Sequence, residues 1–223
     1  MATNDTITPK PAPPLNIPAS KCTVKVSILN TTCDILCPAS AFVKPKIRGQ
    51  EYLNFPTFAF LIENEAQDKR ILFDAGGRKD WWNLSKVYDD LFEKKIPGVK
   101  IDKGVDEVLR DGGVDEKGIS SVVWSHWHVS DSSMTFDKSK KDAADAVQWD
   151  HTGDMSLFPP STEVIVGPGF KKEFMPGYPS KQDSPMLDSD FESVVITPRP
   201  SNLLTMIQGT QRTRDCIWRP SHW

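Results

Sequence analysis

The sequence predicts one mixed α/β sandwich, and three observations carry that prediction. Short strands with alternating or continuous apolar runs recur along the chain, short helical segments separate them, and glycines close the elements. At 223 residues the chain is long enough to bury one sizeable core, and nothing in it marks a second domain.

Residues 1–20 hold Pro9, Pro11, Pro13, Pro14 and Pro18 in a polar setting, which reads as a disordered or surface-draped arm. Thr23–Leu29 follows as a strand, with Val24, Val26 and Ile28 alternating against polar neighbours, before a loop rich in Pro and Cys. Thr57–Glu63 alternates Phe58, Phe60 and Ile62, and Arg70–Asp74 closes on Ala75-Gly76-Gly77. The polar stretch Asn64–Lys69 between them predicts a hairpin. Leu84–Lys94 carries helical spacing through Leu84, Val87, Tyr88, Leu91 and Phe92 until Pro97-Gly98, and Val105–Arg110 is a short helix stopped by Gly112-Gly113. Ile119–Trp124 reads as a buried strand with Ser125-His126-Trp127-His128 at its tip, and Glu163–Val166 as another strand before Gly167-Pro168-Gly169. Val129–Gln148 has no core pattern, and the chain loses register beyond about Glu192. The expected organisation is therefore an arm over 1–20, a domain over 21–192 interrupted at 129–148, and an atypical tail over 193–223.

The bulk numbers exclude some functions. A net charge of −3, with no Lys/Arg cluster between aromatics, argues against nucleic-acid binding. No apolar run approaches the roughly 20 residues of a membrane helix, and the N-terminus has no apolar signal-peptide core. Together these predict an intracellular, cytoplasmic protein with no membrane partner. Cys22, Cys33, Cys37 and Cys216 fit that compartment, and the lone Cys33/Cys37 spacing reads as buried or half-buried thiols rather than a zinc ribbon.

The chemistry concentrates in two short pieces. His126 and His128 stand at i and i+2 on a strand end, so their imidazoles leave on the same side and can share a metal. Asp150-His151, ahead of Thr152-Gly153-Asp154, adds a carboxylate and a third imidazole. Nitrogen and carboxylate donors suit Zn²⁺, which lowers the pKa of bound water to about 7. The plainer alternative makes the first pair loop-end polar residues and Asp150-His151 a helix N-terminus. Three of the chain's four histidines in these two pieces, with Asp74 ending an earlier strand, favour the metal.

Ser125-His126-Trp127-His128 followed by Asp150-His151-Thr152-Gly153-Asp154 resembles the H-x-H-x-D-H-x-G-D signature of the metallo-β-lactamase superfamily, cut in two. Leu72-Phe73-Asp74-Ala75-Gly76 resembles that family's strand ending in Asp-x-Gly, and Glu163–Phe170 resembles the strand after its metal helix in the lactonase- and lactamase-like branch. The likeness runs from about Thr23 to Asp190, less the insert. It implies an αββα sandwich, of which this chain carries the N-terminal part. It also implies His126 and His128 as ligands of a first zinc, Asp150 and His151 as ligands of a second, and Asp150 as the residue orienting the attacking water. Asp74 would support the ligands from behind. The family takes a further His, a bridging Asp and a last His from its C-terminal half, where this chain offers only His222. The implied activity is zinc-dependent opening of a small cyclic amide or ester, as in fungal lactamases acting on benzoxazolinone-type plant compounds. Trp81, Trp82, Trp124 and Trp127 offer the side chains of an aromatic pocket, but each taken singly reads as core or surface packing. Thioesterase or glyoxalase-II-like hydrolysis, or a non-catalytic remnant, are the alternatives.

Removing Val129–Gln148 joins His128 to Trp149 and restores His-Trp-His-Trp-Asp-His. The segment is 20 residues, or 60 nucleotides, and its ends can encode the two ends of a short intron. We therefore read it as a retained intron, and transcripts continuing through all 20 codons would refute that.

Overall fold

In the computed structural model, residues 23–41, 43–94, 96–125 and 149–198 are described. Among these residues seven strands form one sheet: β1 (Lys25–Pro38), β2 (Tyr52–Asn64), β3 (Lys69–Phe73), β4 (Gly98–Ile101), β5 (Ser121–Val123), β6 (Glu163–Val166) and β7 (Val195–Pro198). Their order is β4-β1-β2-β3-β5-β6-β7. The β4/β1, β1/β2 and β2/β3 pairs are antiparallel, whereas β3/β5, β5/β6 and β6/β7 are parallel. The helices are α1 (Asp89–Lys94), α2 (Val105–Asp111), α3 (Trp149–Thr152), α4 (Phe170–Phe174) and α5 (Ser189–Glu192). None among the described residues is long and apolar enough to cross a membrane.

The expected hairpin forms between β2 and β3, pairing Phe60 with Phe73 and Glu63 with Arg70. Glu163–Val166 is a strand over the expected span. Other elements differ in extent. β1 continues through Cys33 and Cys37 to Pro38, where a loop was expected, because β2 and β4 flank it on both sides. Its register shifts between Asn30 and Asp34, and Thr32 there takes φ +54°, so the alternation breaks where the strand does not. Of the helix expected over Leu84–Lys94, only its second half is α-helical, after a 3-10 turn at Lys86–Tyr88. β7 pairs in parallel with β6, so regular structure runs past residue 192, where the tail was expected to begin. Residues 1–20, 129–148 and 199–223 lie outside the described residues.

The core sits on one face of the sheet. Leu61, Leu72, Val122 and Val164 align across four neighbouring strands, and none is more than 3% exposed. Tyr88, Leu109, Trp124, Met155 and Phe170 pack over this row. Cys33 and Cys37 are free, buried thiols, as expected. Burial pushes the Cys33 thiol up to about 11, so it packs as a small apolar group.

Candidate metal centre

β3 and β5 run in parallel and end side by side, which places Asp74 next to Ser125. The Asp74 N–H still bonds the Val123 carbonyl (2.9 Å), then the chain turns left-handed at φ +60°. Few non-glycine residues accept that conformation, although Asp does so more readily than most. The next residues interlock with the helix that bears the second half of the split motif. The Ala75 N–H bonds the His151 carbonyl, and the Gly153 N–H bonds the Gly76 carbonyl, both at 2.8 Å. Gly76 and Gly153 both take positive φ at this clasp. A Cβ at Gly76 would meet Thr31 at 2.5 Å, and one at Gly153 would meet the Ala75 side chain at 2.6 Å. A side chain at Gly153 would press on Ala75 across the clasp, and one at Gly76 would press on Thr31 of β1.

The clasp converges polar groups on one carboxylate. Asp74 Oδ1 accepts from the Ser125 N–H (2.8 Å), and Oδ2 accepts from Ser125 Oγ (2.8 Å) and from His151 Nδ1 (3.0 Å). A carboxylate can only accept here, so Nδ1 of His151 carries the proton of this contact. Asp150 Oδ2 lies 3.4 Å from His151 Nε2. Burial works to lower the His151 pKa, but the hydrogen bond to Asp74 and the charges of Asp150 and Asp74 outweigh it and raise it. The two carboxylates thus favour positive charge at Nε2, whether a proton or a metal ion. A carboxylate on Nδ1 is also the arrangement by which proteins orient an imidazole that binds a metal through its other nitrogen.

A second polar centre holds the loops around this corner. The buried Arg78 guanidinium binds Asp80 through Nε (2.8 Å), Asp154 through Nη2 (3.2 Å) and Asp190 through Nη1 (3.4 Å). It ties the segment after β3 to the segment after α3 and to α5. Burial pushes the Asp190 carboxyl up to about 7 against the opposing pull of the Leu187 N–H and Arg78.

Of the expected ligands, Asp150 and His151 come together at the start of α3, and His126 and His128 lie outside the described residues. Among the described residues no group of three or more His, Cys, Asp or Glu could hold a metal ion. The chain on the two sides of the split motif nonetheless meets: Ser125 and His151 bind the same carboxylate, and Trp124 Nε1 donates to the Thr152 carbonyl at 3.1 Å. Trp124 is thereby a buried structural residue rather than a pocket wall, Trp82 is 67% exposed, and Trp127 lies outside the described residues. Ser125, Arg78 and Asp190 were not singled out from sequence for any role at the site. Only the nearness of Ser125 to the histidines hinted at it.

No protein-family model matches the chain. Curated relatives do. The chain is 38% identical over 177 residues to "Gamma-lactamase FDB1" of Fusarium pseudograminearum, an overlap of 77% of this chain and 38% of the relative. It is 34% identical over 192 residues to "Metallo-hydrolase mfmC" of Annulohypoxylon moriforme, covering 85% of this chain and 45% of the relative. The chain thus spans less than half the length of these two relatives. A solved quorum-quenching N-acyl homoserine lactone hydrolase shares the fold, with a TM-score of 0.53 at 15% identity over 82% of this chain and 60% of that one. The chain is thus a homologue of a γ-lactamase and a metallo-hydrolase over part of their length, and its fold is that of the lactonase-like metallo-β-lactamases.

Proposed function

We propose that the chain is a metal-dependent hydrolase that opens a small cyclic amide or ester. The observation that carries this reading is the Asp74–His151 pair, which fixes Nδ1 and presents Nε2 beside the Asp150 carboxylate. The named relatives, a γ-lactamase and a metallo-hydrolase, support it.

In this reading His126, His128, Asp150 and His151 hold one or two zinc ions. The donor set described fits such an ion, since a neutral imidazole nitrogen and a carboxylate oxygen both suit zinc. Bound zinc would supply a Lewis acid and an acidified water near neutral pH. The protein's own residues do the rest. Ser125 holds both oxygens of Asp74, Asp74 holds the His151 ring, and the clasp of Ala75 and Gly153 fixes the backbone of α3. Asp150 would orient the attacking water and take up its proton at the carboxylate. The substrate would be a small lactam or lactone, and benzoxazolinone-type compounds are the first lactams to try. We place the protein in the cytoplasm.

The test pairs zinc content of the purified full chain with turnover of a lactam and lactone panel. Retained zinc with ring opening supports the proposal. Zinc without turnover leaves a metal site and removes the enzyme. Neither zinc nor turnover overturns both. A thioester in the same panel separates ring opening from thioesterase or glyoxalase-II-like hydrolysis.

A further inference from the structure

α3 is a single turn, Trp149–Thr152, and a helix this short has no stability of its own. Its setting therefore comes from what it touches. The far end is tied by hydrogen bonds. The His151 carbonyl accepts from the Ala75 N–H, the Thr152 carbonyl accepts from Trp124 Nε1, and the Gly153 N–H donates to the Gly76 carbonyl. The first residue is tied by its side chain. The Trp149 indole is 4% exposed within the main buried cluster, and the Phe92 ring of α1 meets it edge-on with centroids 5.1 Å apart. Phe92 is itself packed on Trp81 at 4.9 Å.

The indole also reaches into space left by a missing side chain. A Cβ on Gly77 would lie 3.2 Å from Trp149 Cζ3, 2.8 Å from Ile101 Cδ1 and 3.3 Å from Cys33 Sγ. Gly77 is not held in the left-handed region that Gly76 occupies, so the position asks for small size rather than backbone freedom. Gly77 directly follows the two residues that bond to α3, so one short segment holds the helix at both ends. Direction then follows from helix geometry. Successive side chains leave an α-helix about 100° apart, so sinking Trp149 into the core sets where Asp150 and His151 point. A turn of about 20° would swing a side-chain tip lying about 5 Å from the axis by about 2 Å. A working site tolerates only about 0.5 Å.

We propose that Trp149 is a positioning residue: its indole, seated against Gly77 and Phe92, fixes the rotation of α3 and thereby the direction of the Asp150 carboxylate. The effect on metal binding rests on the metal-dependent reading of the site, whereas the seating of α3 does not. A ring that merely filled core volume would, when trimmed, lower stability and leave the metal affinity of the folded chain unchanged.

The experiment uses the full chain carrying Trp149→Leu, Trp149→Phe, Gly77→Ala, and Gly77→Ala together with Trp149→Phe. Co²⁺ affinity and visible absorption are read by titration, and amide hydrogen exchange is read in the metal-free chains. We expect Trp149→Leu to weaken Co²⁺ binding about tenfold, to alter the Co²⁺ spectrum, and to speed exchange at the Ala75 and Gly153 amides more than in β3 and β5. Trp149→Phe keeps a ring on Phe92 and should stay near wild type. Gly77→Ala alone should weaken binding about tenfold, and the double variant should return close to Trp149→Phe, because the smaller ring leaves room for the new Cβ. An unchanged affinity and spectrum in Trp149→Leu, additive effects of the pair, or exchange raised equally across the sheet would each overturn the proposal. Should Trp149→Leu fail to fold, the Gly77→Ala and Trp149→Phe cycle carries the test. A wild-type chain that binds no Co²⁺ defeats the metal-site reading, while exchange at Ala75 and Gly153 still decides the seating of α3.

Discussion

The two faces of the sheet are built from similar residues and live in different surroundings. On the covered face Leu61, Leu72, Val122, Val164 and Ile196 run strand to strand and are nearly inaccessible. One residue along, Ile28, Phe60, Phe73, Val123 and Ile165 form an equally apolar row on the other face. There Ile28 is 68% exposed, Val26 and Phe58 beside it are 54% and 42% exposed, and Val195 at the far edge is 57% exposed, whereas Ile71 and Ile165 in the middle of the sheet are 5% exposed. A solvated antiparallel face normally alternates apolar with polar residues, and this one does not. The difference teaches that hydrophobicity along a strand reports a face fit for packing, whether or not anything packs on it. It also places the main buried cluster of the described residues on one side, with the Asp74 corner at the tips of two central strands of that sheet.

Substitutions can break or sharpen that contrast. The largest effect is expected at Leu72, which is 0% exposed. Leu72→Ala should cost roughly 2–5 kcal/mol by chemical denaturation. Ile28→Ala on the open face should stay within about 0.5 kcal/mol. Equal losses would mean that the open face is buried in solution.

Asp74→Ala comes next, since it strands the Ser125 and His151 donors at the strand tips. A loss of about 2–3 kcal/mol is expected, within the range for hydrogen bonds to a charged group. A loss as small as that at Ile28 would show that the corner contributes nothing to the covered side.

A pH dependence is expected from Asp190. Its folded pKa of about 7 is raised, chiefly by burial, above the ordinary carboxylate value of about 3.9. The folded state therefore binds more protons between those values. The stability this group contributes is complete below about pH 3.9 and is lost as pH rises through about 7. Asp190→Asn cannot titrate, so its thermal midpoint relative to wild type should improve from pH 5 to pH 8. A constant difference would mean that Arg78 keeps Asp190 ionised throughout.

Much of the covered face was legible in the sequence because the hairpin and the parallel strands carry long or alternating apolar runs. β4 and the far half of β1 were not, since Thr31-Thr32-Cys33-Asp34 breaks the period at a register shift and only the pairing of strands reveals it. β7 was hidden for a different reason: it is four residues long and leaves Val195 in solvent. Within the site, Asp74 and Asp150-His151 could be picked out as chemistry-bearing residues. Their meeting across 77 positions depends on a left-handed turn and two interlocked glycines that no local pattern announces. Arg78 was passed over because a lone arginine normally reads as surface. The meeting of Ser125 and His151 on one carboxylate adds what the split motif alone did not hold, a common anchor for its two halves.

The most direct test of the account is zinc affinity, measured by competition with a chromophoric chelator for the wild-type chain and for His151→Ala. The account predicts zinc bound by the wild type and at least tenfold weaker binding in the variant, with unchanged circular dichroism. Equal affinities, or no binding by either protein, would contradict a metal centre organised at the Asp74–His151 corner.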